Sequence, residues 1–163
     1  MDKNEIMLAF LKTCPYIKDD TMFFNFGNIE DGAHQLVTNS DDVSLQRPYI
    51  DGSVLKRYTF SIDSFKSAAY NPIVNGYSDE NVEDFKAIQE LLDWVVEQNE
   101  LQNFPDFGED CIIDEMLPVT SKPALLVADT TVTPPIAIYR ITIRIIYLDT
   151  SKQIFKPEQI SSI

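Results

Sequence analysis

From Ile138 to Leu148 the chain alternates with almost no exception: Tyr139, Ile141, Ile143, Ile145 and Tyr147 share one parity, while Arg140, Thr142 and Arg144 share the other. Strand side chains point alternately to opposite faces, so this pattern predicts a strand over 138–148 with one face in a core. A run at 53–63 repeats the theme, with Val54, Tyr58, Phe60 and Ile62 on one face, Lys56 intruding, and Arg57, Thr59, Ser61 and Asp63 on the other. It follows the β-like run 45–50 across Asp51-Gly52, a pairing that predicts a hairpin. Pro48 lacks a ladder donor, which places strand 45–50 at an edge. Two shorter β-like runs, 21–29 and 33–38, flank Glu30-Asp31-Gly32 and are predicted to form another hairpin. Residues 111–113 and 124–128 are also β-like, and 130–135 is predicted to be a loop because consecutive prolines cannot continue a ladder.

Two segments carry helical spacing instead. Ile6, Met7, Phe10 and Leu11 make one apolar stripe over 3–13, and Pro15 stops it. Phe85, Ile88, Leu91, Leu92 and Val95 recur at steps of three and four within 78–102, the long helix of the protein. Ser78 or Asp79 can cap it, and Asp79, Glu80, Glu83 and Asp84 complement the positive end of its dipole. Its outer face is acidic, with Lys86 the one base in the span. The predicted fold is α+β: a mostly antiparallel sheet with a short N-terminal helix and one long helix packed on one face. Residues 1–150 are read as a single domain and 151–163 as a polar C-terminal tail with Ile154, Phe155, Ile160 and Ile163 as apolar handles.

Composition narrows the functional classes. The chain has 163 residues, 44% of them hydrophobic, which suits one globular domain. With 13 basic against 26 acidic residues the formal net charge is −13, which disfavours phosphate and anionic-membrane partners. Cys14 and Cys111 match no disulfide framework or metal spacing and are read as thiols of an intracellular product. The apolar run Ile6–Leu11 is too short for a signal segment, and no stretch approaches the roughly 18 apolar residues of a membrane span.

Catalytic chemistry has little to stand on in the sequence. His34 is the single histidine, lies in a predicted strand without a nucleophile pattern nearby, and is read as a packing or surface residue. There is no nucleophile elbow, phosphate loop, dinucleotide fingerprint or zinc ligand set. The pairs Asp41-Asp42, Asp79-Glu80, Glu109-Asp110 and Asp114-Glu115 lack the periodicity of a calcium loop and are read as solvated acids. No cofactor, metal or enzymatic activity is expected.

The order of these elements resembles a known family. A helix ending before "TCPYI", a hairpin pair closing on "DGSVLKRYTFSIDSFKSAAYN", the helix "VEDFKAIQELLDWVVEQNE" with its single Trp94, and the late strand "IYRITIRIIYLDT" are similar to the tail-terminator, or tail-completion, proteins of long-tailed bacteriophages. Their relatives are often labelled minor capsid proteins. The resemblance spans about residues 4–150. It implies a structural virion protein, assembled in the host cytoplasm, that forms a ring, typically a hexamer, on the head-proximal end of the tail tube. Such a ring ends tube growth and offers a docking surface to the head connector or stopper, and no catalytic residue is carried over.

The residues suggest how such a ring is held. A closed ring needs a heterologous contact. The face with Arg57, Arg140, Thr142 and Arg144 is complementary in sign to the acidic helix face with Glu83 and Glu90. Acidic partners on neighbouring strands of the same chain would satisfy the arginines equally well. The loop around Asp129, Thr131, Pro134 and Pro135 is a candidate for contact with the tube or connector, as are the 64–77 loop and the C-terminal tail. An acidic lumen would let DNA pass without specific binding. The alternatives are another neck protein, such as a head-completion or stopper subunit, and a small intracellular enzyme or ligand-binding domain with an acidic pocket.

Overall fold

A computed structural model of the protein describes residues 2–38, 46–68 and 80–154. Its elements, in chain order, are α1 (Lys3–Leu11), β1 (Met22–Phe24), β2 (His34–Thr38), β3 (Arg47–Pro48), β4 (Val54–Ser67), α2 (Glu80–Glu100), β5 (Cys111–Pro118), β6 (Ala124–Asp129) and β7 (Ile136–Asp149). The fold is α+β, with two helices and a seven-stranded, mostly antiparallel sheet among the described residues. The strand order is β1-β2-β4-β7-β5, with β3 also beside β4 and β6 also beside β7.

The centre of the sheet is the pair whose alternation is strongest in the sequence. β4 and β7 are each 14 residues long and pair antiparallel along their whole length, from Val54 opposite Asp149 to Ser67 opposite Ile136. Their like-facing residues Phe60, Ile62, Tyr139, Ile141, Ile143, Ile145 and Tyr147 join Met7 and Leu11 of α1 and Ile88, Leu91, Leu92, Trp94 and Val95 of α2 in one buried cluster. Burying a side chain of this size stabilises by about 1.5–3 kcal/mol, so this cluster is the main source of cohesion. Phe10 meets Trp94 at 5.4 Å between ring centres, and Phe107 seats its ring edge-on against Tyr58 and Tyr147. A smaller cluster of Ala33, Phe65 and Ile136, with Phe23 and Ile138 against it, forms separately.

Helix α1 starts on a capping box. The Asp2 carboxylate accepts the Glu5 amide at 2.9 Å and the Glu5 carboxylate accepts the Asp2 amide at 2.9 Å. The proposed caps of α2, Ser78 and Asp79, lie outside the described residues, as do Asp41-Asp42 and the tail beyond Ile154; of the predicted 64–77 loop, residues 64–67 instead continue β4 in register with β7, and 69–77 lie outside the described residues.

The hairpin predicted for 21–38 is not present: β1 and β2 run parallel, with Met22 opposite His34 and Phe24 opposite Leu36. The reversal happens immediately after β1, where Asn25 takes a φ of 55° and Phe26 bridges back to Phe24. Gly27 then lies directly on the Phe23 ring, so close that an added Cβ would collide with it. The segment that follows carries the chain back along β1, and β2 therefore sets out in the direction of β1. The Asp31-Gly32 turn does form, with Gly32 at a φ of 81° and its amide donating to the Phe65 carbonyl at 2.8 Å, but it docks the chain against β4.

The hairpin β3–β4 turns at Asp51-Gly52 as predicted, with β3 at an edge. β5 extends well past 113, because a bulge between Ile113 and Glu115 shifts the register and interrupts the alternation that would have revealed it.

Candidate functional site

The second parity of β4 and β7 builds a polar face. Arg140 lies opposite Asp63 and grips it with both prongs, Nε to Oδ1 at 2.7 Å and a terminal nitrogen to Oδ2 at 2.9 Å. The Asp63 side chain is 7% exposed and the Arg140 side chain 34%, so the bridge is bidentate with its carboxylate enclosed, and that carboxylate raises the pKa of Arg140 further. Next along the face, the Ser61 and Thr142 hydroxyls share a hydrogen bond of 2.9 Å. Arg144 donates to Glu115 of β5 at 3.3 Å, while its Nε is buried without a hydrogen-bond partner. Arg57 is half-buried on the same face, beside Ile146 in register. The partners of Arg140 and Arg144 are therefore supplied by this chain.

Towards one end this face turns apolar. Leu55 and Leu148 sit side by side in register, Ile112 of β5 pairs with Leu148 and is 58% exposed, and Tyr49 lies nearby. Together with Asp51 and Asp114 they line a shallow depression of about 470 Å³. The acidic residues Glu83 and Glu90 are exposed on α2, where Glu83 accepts from Lys86 at 3.2 Å. Among the described residues, no ion pair joins Glu83 or Glu90 to Arg140 or Arg144.

The loop after β6 is shaped by local bonds. The Asp129 carboxylate accepts the Thr131 amide at 2.9 Å and hydroxyl at 2.6 Å, bonds that hold it below the usual carboxylate range. Pro135 is half-buried, and its carbonyl accepts the Ala68 amide at 2.7 Å; Thr131 and Pro134 are exposed. The Thr133–Pro134 peptide is cis.

His34 turns out to have a serine beside it, which the sequence did not signal because Ser64 is thirty residues away on β4. Its Nδ1 is 2.7 Å from Ser64 Oγ and its Nε2 is 2.8 Å from Asp20 Oδ2. The trio has the membership of a hydrolytic triad but not its accessibility: Ser64 is fully buried and His34 nearly so. Burial lowers the His34 pKa; Asp20 opposes that shift, and Lys66 and Lys12 reinforce it. The arrangement ties the turn before β1 to β2 and β4. A further tie is Lys56 to Asp149 at 2.6 Å, which holds the Asp149 carboxylate well below its usual range.

Sequence reasoning missed the character of β6. The sequence marks 124–128 as β-like and says nothing of its burial. Here it lies at the outer edge of the sheet, with Leu125 59%, Leu126 46% and Val127 54% exposed. The signal was the flanking Lys122-Pro123 and Asp129, an arrangement typical of a strand end at the surface. Among the described residues no group of three His, Cys, Asp or Glu side chains is placed to hold a metal ion, and no helix is long and apolar enough to cross a membrane. Neither protein-family models nor curated proteins give a match to the chain.

Proposed function

We propose that the protein is a structural subunit of a bacteriophage virion: a tail terminator whose copies form a ring, hexameric by the resemblance, on the head-proximal end of the tail tube. The observation that carries this reading is the second face of the sheet. It combines half-buried Arg57, Thr59, Arg144, Ile146 and Leu148 with exposed Ile112, a mixture of apolar area and charge suited to contact with another protein. Arg144 still has an unsatisfied buried donor there. The exposed acids of α2, Glu83 and Glu90, are complementary to it and lie on a different element, as a head-to-tail contact requires. In this arrangement the 129–136 loop faces the tube or the connector, and DNA passes through an acidic lumen without specific binding. The reading adds no catalytic role.

The test is the mass of the purified protein, alone and mixed with tail tubes, measured by size exclusion with light scattering. A ring that caps tubes is expected, and Arg144→Glu is expected to prevent it. A wild-type protein that neither forms rings nor binds tubes overturns the proposal. Binding to the portal side instead would identify another neck protein.

A further inference from the structure

Among the described residues β6 pairs with β7 alone, and its other side is an edge of the sheet. Edge strands offer unpaired amides and carbonyls, and proteins blunt them with charges, prolines, bulges or shortness; here Lys122, Pro123 and Asp129 stand at the ends of β6 and a bulge lies between Leu125 and Val127. Between Ala124 and Ala128 there is no charge and no proline, and all five residues are exposed. Such an edge invites a strand from outside.

Its ends select the partner. Lys122 is exposed just before the strand, and Asp129 closes it. A strand with a cation at one end and an anion at the other is complementary to itself when reversed: each Lys122 then lies beside the other copy's Asp129, and the apolar residues meet in the middle. The opposite edge of the sheet is a poorer match. Continuing the sheet onto β1 of a second copy in the usual antiparallel sense would bring Asp129 near Asp19 and Asp20, which precede β1. The bulge between Leu125 and Val127 twists the strand, and a second copy carries the same twist.

We propose that β6 pairs antiparallel with β6 of a second copy of this chain about a two-fold axis near Leu126, joining two sheets edge to edge. The contact is isologous, so it is separate from the head-to-tail contact of a ring and stands whether or not the ring reading does.

Light scattering of the full chain over a concentration series tests it. The wild-type protein is expected to self-associate, and Leu126→Lys to abolish that association while circular dichroism stays native. Lys122→Glu and Asp129→Lys, each acting twice across the axis, are each expected to weaken association by roughly tenfold or more, and the double exchange Lys122→Glu/Asp129→Lys to restore it. Arg144→Glu is expected to leave this contact in place, which separates it from ring formation. A wild-type chain that is monomeric throughout, or an association indifferent to Leu126→Lys and to the charge exchange, overturns the proposal.

Discussion

Arg140 and Asp63 face each other across β7 and β4, joined by two hydrogen bonds of 2.7 and 2.9 Å, with the carboxylate almost fully enclosed. Removing the arginine leaves that carboxylate buried and unpaired. Arg140→Met is expected to destabilise by about 2–3 kcal/mol, below the range for fully buried pairs because the guanidinium is partly exposed. Arg140→Met combined with Asp63→Leu is expected to recover most of the loss in urea unfolding. A double variant whose loss equals the sum of the losses of Arg140→Met and Asp63→Leu would show that the bridge has no coupling role.

His34 gives the fold a pH dependence whose sign is fixed. Its folded pKa lies below the unfolded value of 6.5, so the unfolded chain binds the proton more readily. The stability due to neutral His34 is fully present above pH 6.5 and declines as the pH falls below it towards the folded pKa. Asp20→Asn removes the group that opposes the shift and is expected to steepen the decline. His34→Gln is expected to flatten it, as read from denaturation midpoints between pH 7 and the acid limb.

Asp149 behaves as a second acid-sensitive tie. Its folded pKa is depressed by Lys56, so the contribution is present above 3.8, the unfolded value, and is lost as the pH falls through the folded one. Lys56→Met is expected to cost about 1 kcal/mol at neutral pH and to reduce the stability difference between neutral and strongly acid conditions.

Gly27 is expected to tolerate no side chain. A Cβ there would run into the Phe23 ring, so Gly27→Ala should destabilise by about 1–3 kcal/mol, as overpacking does. Phe23→Leu should relieve part of that in the double variant. Full stability in Gly27→Ala alone would mean the fold-back after β1 is looser than described.

The long periodic elements were legible because one physical signal determined each of them. Tyr139 to Tyr147 and Phe85 to Val95 follow their periods over many residues, so both the elements and their buried faces could be read directly. The direction of β1 could not, because it depends on a positive φ at Asn25 and on glycine fitting against Phe23, a tertiary contact between near neighbours. Of the polar face, the membership of Arg140, Thr142 and Arg144 was legible from parity. Their partners Asp63, Ser61 and Glu115 were not, because register between strands separated by tens of residues is set by the whole sheet. The trio at His34 and the exposure of β6 escaped for the same reason.

The central pairing of β4 with β7 also governs when the fold can exist. β4 finds β3 within a few residues, but its other side waits for a strand that ends at Asp149, and among the described residues that same strand is also the partner of β5 and β6. During synthesis the polypeptide must therefore carry an unfinished sheet, with β6 not yet paired to β7, until β7 has left the ribosome. Folding of this topology is expected to be slow and late, and chains truncated before Ile136 to aggregate.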